Sequence, residues 1–248
     1  EGESLGTLVM FNNISELVRS RRKAEEADLA RSEFLSNISL EIRSPINSLI
    51  GMLNLTLDTP VTAEQNEYLT TALDNAEALM THLNDIMDLS RIEAGRLELE
   101  TTDMNLRAVV ENVAAGLAQR ADYKGLEFVC MVPTDIPERL RGDPNRLRQV
   151  LFNLAGNAVK FTDRGEVTLR VKKVTETDDT MTVAFFVQDT GIGITPERQA
   201  AIFDHSSLEN LSTTRMYGGT GLGLAISTRL VELMGGKITL ISEPTSGS

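Results

Sequence analysis

The stretch from Gln188 to Ala225 constrains this chain most, because it holds six glycines in two short clusters. The first cluster, 189–193, follows the apolar run 181–187, which predicts a buried strand with Asp189 at its carboxyl end. The second, 218–223, leads directly into a helical pattern. Glycine lets backbone approach a ligand closely, N–H groups at a helix start suit phosphate, and the Asp189 carboxylate suits the amino group of a base. One such loop is weak support for a nucleotide site, and two in this order are stronger.

A helix rich in asparagine is predicted upstream of both clusters, from Pro144, its first residue, to Thr162. Asn153 and Asn157 are four residues apart and therefore share one helix face, which Lys160 flanks. Two amide oxygens and one ammonium suit a Mg²⁺–triphosphate. For these three residues alone, a solvated outer face is an equal alternative. The glycine clusters downstream favour the nucleotide.

The bulk composition excludes several classes of protein. The net charge of −12 argues against nucleic acid or an anionic membrane surface as a partner. Cys130 is the only cysteine, which leaves no disulfide framework and no thiolate metal site, and its apolar neighbours predict burial. No apolar run reaches membrane-spanning length and no signal peptide is present. We therefore expect a cytoplasmic piece with both ends cut, connected to a membrane only through missing upstream segments.

The first half of the chain predicts two long helices. One runs from Ile14 to about Leu57, with a bend expected at Pro45. Its charged first part suits a coiled-coil connector or a plain solvated helix. A capping box of Thr62 and Gln65 begins the second helix, which continues to about residue 96.

Both helices carry apolar residues at steps of three and four. They are Phe34, Leu35, Ile38, Ile42, Ile46, Leu49 and Leu53 in the first helix and Leu69, Leu73, Ala76, Met80, Leu83 and Met87 in the second. A short loop joins the helices into an antiparallel hairpin. The hairpin alone leaves an apolar stripe exposed, so we expect a homodimer with a four-helix bundle.

From Asn105 onward the pattern is mixed α/β. Besides the asparagine-rich helix, helices are predicted over 106–120 and 221–234, with a short one capped by Thr195. Strands are predicted over 126–132, 166–174, 181–187 and 237–242. The fold class is therefore α+β: a helical hairpin followed by an α/β sandwich.

Three motifs resemble the N, G1 and G2 boxes of sensor histidine kinases, which belong with the gyrase, MutL and heat-shock chaperone ATPases. They are Asn153-Leu154-Ala155-Gly156-Asn157-Ala158-Val159-Lys160, Asp189-Thr190-Gly191-Ile192-Gly193 and Gly219-Thr220-Gly221-Leu222-Gly223. The resemblance covers nearly the whole chain, and the hairpin resembles that family's dimerisation and phosphoacceptor domain. Hybrid two-component kinases are the members that the chain resembles.

The resemblance implies ATP and Mg²⁺ as cofactors. It assigns Asn157 to Mg²⁺, Asn153 and Lys160 to the phosphates and Asp189 to adenine. The remaining ATP-binding positions that it implies are Gly191, Gly193, Gly219, Thr220, Gly221, Leu222 and Gly223. Hydrolytic relatives carry a glutamate that activates water at the position of Asn153. Because asparagine takes no proton at neutral pH, this pocket favours phosphoryl transfer over hydrolysis.

The phosphoacceptor position of that family falls on Leu40, within Ser39-Leu40-Glu41-Ile42-Arg43-Ser44-Pro45. Helical periodicity turns Leu40 toward solvent, and leucine has no lone pair with which to attack phosphorus. By the resemblance, Glu41 would act as general base for the missing histidine. Ser44 would position water for dephosphorylating a partner, and this role requires no histidine.

The lid region also departs from the family. Ser206 and Leu208 stand where a phenylalanine and usually a glutamine are expected, whereas Arg215 remains in place to meet the terminal phosphate. Neither histidine of the chain, His82 or His205, lies in a matching motif, so neither is expected to replace the acceptor.

These observations leave two main hypotheses. One is a kinase core that binds ATP·Mg²⁺ but cannot autophosphorylate. The other is a pseudokinase that dimerises and regulates a partner kinase or the receiver domain of a response regulator. A stand-alone ATPase is a third, which Asn153 disfavours. The expected domains are the end of a PAS-like sensor or an extension (1–13), a signalling coiled coil (14–32), the hairpin (33–98) and the ATP-binding domain (99–248).

Overall fold

The computed structural model describes residues 19, 38–199, 202 and 222–248. The chain divides into two compact units, one ending at Arg96 and one running from Leu97 to Ser248. The predicted sensor end and coiled coil, 1–13 and 14–32, lie outside the described residues, apart from Arg19.

The first unit is a helical hairpin. Helix α1 is described over 38–57 and runs through Pro45 without interruption, whereas the predicted bend there stays a prediction. Helix α2 spans Ala63–Glu93. The predicted capping box is confirmed: the Gln65 N–H donates to the Thr62 hydroxyl at 3.2 Å, and the Thr62 N–H donates to the Gln65 side chain at 3.0 Å. Two local signals therefore fix where α2 begins.

The predicted apolar face of the hairpin is only partly covered within one chain. Ala76 and Met87 are buried, but Ile42 and Leu49 remain exposed on α1. Further exposed large apolar side chains on the two helices are Met52, Leu55, Leu79 and Ile86. Burying these side chains against a second copy of the chain would stabilise the hairpin, which agrees with the predicted dimer.

Asp85, in the last third of α2, makes the stability of the hairpin depend on pH. Burial, with the charge of Asp88 adding to it, raises the pKa of the Asp85 carboxyl from 3.8 to about 6. A raised folded-state pKa contributes stability below about pH 4, and this contribution is lost as the pH rises through 6. We therefore expect Asp85→Asn to stabilise the protein at pH 7.5 by about 1 kcal/mol, a value discounted because the group is half-exposed.

Urea unfolding of the full chain at pH 4 and pH 7.5, followed by circular dichroism, tests this expectation. The gain should be absent at pH 4. Asp74→Asn, which removes an exposed carboxylate from the same helix, is the matched control. A gain of equal size at both pH values, or in both variants, would contradict the assignment.

The second unit is a mixed sheet covered by helices. Strands β2 (Glu127–Met131), β4 (Glu166–Glu176) and β5 (Met181–Asp189) form a three-stranded sheet in the order β2-β4-β5. Strand β2 is parallel to β4, and β4 is antiparallel to β5. Val167, Leu169 and Val171 alternate along β4 and are buried, so one face of the sheet meets the core.

Helices α3 (Leu106–Tyr123) and α4 (Pro144–Phe161) pack against each other in this unit. Their apolar faces contribute most of the fully buried large side chains, together with helix α6 (Leu222–Leu233): Leu106, Leu117, Leu151, Ile226 and Leu230. Cys130 was expected to be buried, but it is only half-buried against this core, and burial raises the pKa of its thiol. The short helix α5 (Pro196–Gln199) follows Thr195 as predicted.

Two features of this unit differ from the sequence-based expectation. The predicted strand over 237–242 is wrong, since no strand is assigned there. The Ser242 hydroxyl instead accepts from the Ile194 N–H and hydrogen-bonds to Gly247 and Ser248, and the Ser242 carbonyl oxygen accepts from the Gln199 side chain. Conversely, the three-residue strands β1 (Thr102–Met104) and β3 (Leu140–Gly142) pair antiparallel without a sequence signal.

Candidate nucleotide site

Helix α4, which carries the predicted Asn153, Asn157 and Lys160, is fixed at both ends. At its start the Asp143 carboxylate accepts hydrogen bonds from the N–H groups of Asn145 and Arg146 at 3.1 and 3.0 Å, and Pro144 occupies the first position. At its end, the Lys124 ammonium donates to three carbonyl oxygens. These belong to Val159, Lys160 and Thr162, at 3.0, 2.8 and 3.2 Å. Lys124 thus supplies hydrogen bonds to carbonyl oxygens that have no partner within the helix, and its charge is favourable at the carboxyl end of α4.

Asn153 and Asn157 share one face of α4, as their spacing predicts. The Asn157 side-chain nitrogen lies 3.4 Å from the Asn153 side-chain oxygen, to which it donates. The Asn153 nitrogen donates in turn to the Ser227 hydroxyl of α6 at 2.8 Å. Among the described residues, nothing donates to the Asn157 side-chain oxygen, which is the kind of oxygen that Mg²⁺ binds.

Lys160 lies one turn beyond Asn157, close to the end of α4. Its ammonium is 5.1 Å from the centre of the Phe161 ring, and burial lowers its pKa. Three residues after Asn157, Lys160 flanks the helix face that carries the two asparagines.

The loop after β5 is tied to the end of the same helix. The Gly191 N–H donates to the Asp189 carboxylate at 2.8 Å, and the Ile192 N–H donates to the Phe161 carbonyl oxygen at 3.3 Å. Burial raises the pKa of the Asp189 carboxyl, while the backbone N–H groups of Gly191 and Ser248 oppose this rise. Asp189 therefore stands as a half-buried hydrogen-bond acceptor, which is what recognition of a base amino group requires.

Gly193 in this loop has no room for a side chain. Its φ is +65°, and an alanine Cβ would meet the Glu243 carbonyl oxygen and approach its carbon to 2.7 Å. We expect Gly193→Ala to lower the free energy of unfolding by about 3 kcal/mol, from left-handed backbone strain and a backbone clash together.

Gly125→Ala separates these two causes, because Gly125 has φ +68° but open space around it. That variant should lose only about 1 kcal/mol. Denaturant unfolding of both variants measures the difference. Equal losses in the free energy of unfolding would show that the clash of the added methyl group with Glu243 costs nothing.

The third motif is described only in part. Leu222 and Gly223 begin α6, and an added Cβ on Gly223 would lie 2.5 Å from the Asn153 side-chain oxygen. The other predicted residues of the motif and the lid lie outside the described residues: His205, Ser206, Leu208, Arg215, Gly219, Thr220 and Gly221. In the described structure, Asn153 of the N box therefore lies against Gly223, the last residue of the G2 box. The G1 box is hydrogen-bonded to Phe161, the last residue of the helix that carries the N box.

The hairpin residues predicted to take part in chemistry lie on α1. Leu40 is 63% exposed, so its predicted position toward solvent is confirmed, and Glu41 and Ser44 are also exposed. His82 on α2 is half-buried.

Sequence reasoning missed two residues that organise this site. Ser227 directly follows the apolar run 224–226 and lies four residues after Gly223, so both residues share one helix face. This spacing was a signal from which a role for Ser227 beside the glycine could have been predicted. Lys124 had no such signal, because its partners lie 35 to 38 residues away.

Two further findings concern the described part of the chain. None of its helices is both long and apolar enough to cross a membrane. It also holds no group of three or more His, Cys, Asp and Glu side chains that could bind a metal ion.

Comparison with known proteins decides the family. Residues 142–248 match the model of the histidine kinase-, DNA gyrase B- and HSP90-like ATPases, and residues 30–95 match the His Kinase A phosphoacceptor domain. The chain belongs to the histidine kinase family. Both units of this histidine kinase core thus have a family counterpart, in the order predicted.

Individual relatives agree with this histidine kinase assignment. The chain is 40% identical to the signal transduction histidine-protein kinase BarA of Escherichia coli K12, over 94% of the chain and 25% of BarA. It is 43% identical to the sensor protein GacS of Pseudomonas syringae, over 94% of the chain and 26% of GacS. The chain therefore spans about a quarter of the length of these curated relatives.

A solved structure supports the fold of the histidine kinase core. The crystal structure of full-length ShkA in complex with AMPPNP superposes with a TM-score of 0.67 at 36% identity, covering 87% of this chain and 44% of ShkA.

Proposed function

We propose that this chain is the core of a two-component sensor kinase that binds ATP·Mg²⁺ and whose own hairpin cannot be autophosphorylated. As a kinase core it belongs to the phosphotransferases. The proposed partners are a second copy of the chain and the receiver domain of a response regulator or a partner kinase. Its place is the cytoplasmic part of a larger sensor.

The observation that carries the nucleotide proposal is the convergence of the motifs on α4. Gly223 abuts Asn153, and Ile192, in the loop of Asp189, donates to Phe161 at the end of the same helix. The start of α6, the two asparagine amides and the loop of Asp189 thus lie around one helix, which supports a site for phosphate, metal and base. The AMPPNP bound to the related ShkA is consistent with ATP as the ligand.

The residues present suit a magnesium nucleotide. The Asn157 oxygen would ligate Mg²⁺, and Lys160 would neutralise phosphate charge. Mg²⁺ supplies charge stabilisation for the transferring phosphoryl group. Asn153 cannot remove a proton from water, so the pocket holds ATP without a general base for hydrolysis at this position.

The inability to autophosphorylate rests on Leu40. Its side chain is exposed where a phosphoacceptor must be, but it offers no nucleophile. Ser44 is exposed one turn later, so a phosphorylated receiver domain could still use it to position water. That residue favours the second candidate function, in which the chain regulates a partner through its hairpin.

Calorimetric titration of ATP into the full chain, with Mg²⁺ and with EDTA, tests the proposal together with a radiolabelled phosphorylation assay. We expect magnesium-dependent binding and no acid-labile phosphate. An absence of binding under both conditions would overturn the nucleotide proposal. Acid-labile phosphate on the chain would overturn the proposal that the acceptor is lost.

A further inference from the structure

Ser227 is a buried polar residue on an otherwise apolar part of α6. It is 1% exposed, and its neighbours Ala225 and Ile226 are buried core residues. A buried hydroxyl is costly unless it is hydrogen-bonded. The partner is the Asn153 side-chain nitrogen at 2.8 Å, on a residue 74 positions away. The Ser227 hydroxyl is therefore buried where it binds the asparagine face of α4.

Asn153 is held from two sides by these contacts. Its nitrogen donates to Ser227, and its oxygen accepts from the Asn157 nitrogen. Gly223 lies so close that any side chain there would clash with the whole Asn153 amide, whose three atoms lie 2.5 to 2.9 Å from the added Cβ. Gly223 and Ser227, one turn apart on α6, thus enclose the Asn153 side chain, whose nitrogen faces Ser227 and whose oxygen faces Asn157.

The orientation of Asn153 determines which atom of Asn157 is offered to a ligand. An asparagine amide presents an oxygen on one side and an NH₂ group on the other, and only the oxygen binds a hard cation. Because the Asn157 nitrogen is used by Asn153, the oxygen is the atom left over. A rotation of this amide by half a turn would place two N–H donors where the cation belongs.

We propose that Ser227 and Asn153 form a positioning relay that sets the Asn157 amide for Mg²⁺. The relay consists of the Ser227 hydroxyl, the Asn153 amide and the Asn157 amide. It rests on the proposed binding of ATP·Mg²⁺ and assigns Asn153 to holding a ligand rather than to touching the phosphates. Ser227 and Asn153 are positioning residues.

Thr228 supplies a matched control for Ser227. It is the next residue of α6, and its hydroxyl donates to the Leu224 carbonyl oxygen of its own helix at 2.9 Å. Thr228→Val removes a hydroxyl of the same helix without changing shape and without touching Asn153. Ser227→Thr restores the hydroxyl lost in Ser227→Ala and serves as the rescue variant.

The test measures ATP affinity of the full chain with Mg²⁺ and with EDTA, for the wild type and these variants. In Ser227→Ala we expect the affinity gained from Mg²⁺ to fall about tenfold, the usual effect of losing an outer-shell partner, while the affinity in EDTA is unchanged. Ser227→Thr and Thr228→Val should keep the gain. Asn153→Ala should match Ser227→Ala, and the double variant should lose little more, since both break one relay.

A ligand-free readout accompanies the titration. The side-chain amide signals of Asn153 and Asn157 in NMR spectra of the nucleotide-free protein should move in Ser227→Ala and stay in place in Thr228→Val. An unchanged magnesium gain in Ser227→Ala would overturn the relay while leaving the proposed function intact. Equal losses with Mg²⁺ and with EDTA would show a merely structural role. Absence of ATP binding in the wild type would overturn the proposed function and the relay with it.

Discussion

Replacing Leu40 with histidine is expected to give the chain acid-labile phosphate upon incubation with ATP and Mg²⁺. The side chain at this position is exposed on α1, and Glu41 lies exposed beside it, available as general base. An imidazole has the lone pair that leucine lacks, and its pKa near 6.5 leaves that lone pair free at pH 7.5. The expected change is from no detectable label to substantial labelling of the chain.

Radiolabelled ATP and acid or base treatment of the product measure this change. Leu49→His is the matched control, because Leu49 is 50% exposed on the same helix and lies outside the motif. Labelling of both variants would mean adventitious phosphorylation. No label on Leu40→His, with ATP bound, would mean that the departures at Ser206 and Leu208 also disable the enzyme.

Asn157→Ala is expected to abolish most of the affinity that Mg²⁺ adds to ATP binding. The variant removes the Asn157 side-chain oxygen, to which none of the described residues donates a hydrogen bond. Interactions of this kind with a charged group contribute about 1.5–3 kcal/mol, which corresponds to a loss of about 10- to 150-fold. Calorimetric titration of ATP with Mg²⁺ and with EDTA measures it.

Asn145→Ala is the control for this loss. Asn145 lies exposed in the first turn of the same helix, where its side-chain oxygen accepts from Arg148 at 3.2 Å. Its removal should leave ATP affinity unchanged. Unchanged affinity in Asn157→Ala would contradict the assignment of Asn157 to Mg²⁺. An absence of ATP binding in both the wild type and Asn157→Ala would mean that the motifs act as architecture alone, and the hairpin would become the functional part of the chain.

Local signals account for what the sequence predicted well. Helix α4 was expected over Pro144 to Thr162 and spans Pro144–Phe161, because its start is set by Asp143 and Pro144 next to it in the chain. The beginning of α2 was equally predictable, since a capping box lies within four residues.

Interactions between distant residues explain what the sequence did not reveal. A strand forms only with a hydrogen-bonding neighbour, so the alternating pattern of 237–242 did not suffice. The pairing of β1 with β3 left no periodic signal in three residues. In the candidate site, the motifs named the asparagines, the aspartate and the glycines. They did not name Ser227 or Lys124, whose partners lie tens of residues away.

The anchoring of α4 by Asp143 at one end and Lys124 at the other has a consequence for how this sequence can vary. A helix with one free end absorbs an inserted residue by fraying or by shifting its frame, but α4 has both ends fixed. A single residue inserted between Asn157 and Lys160 must rotate Lys160 by about 100° around the axis. The spacing of the asparagines and the lysine is therefore fixed. Substitutions at these positions reduce nucleotide binding by degrees, whereas an insertion or deletion between them moves a whole side chain off the binding face and is not tolerated.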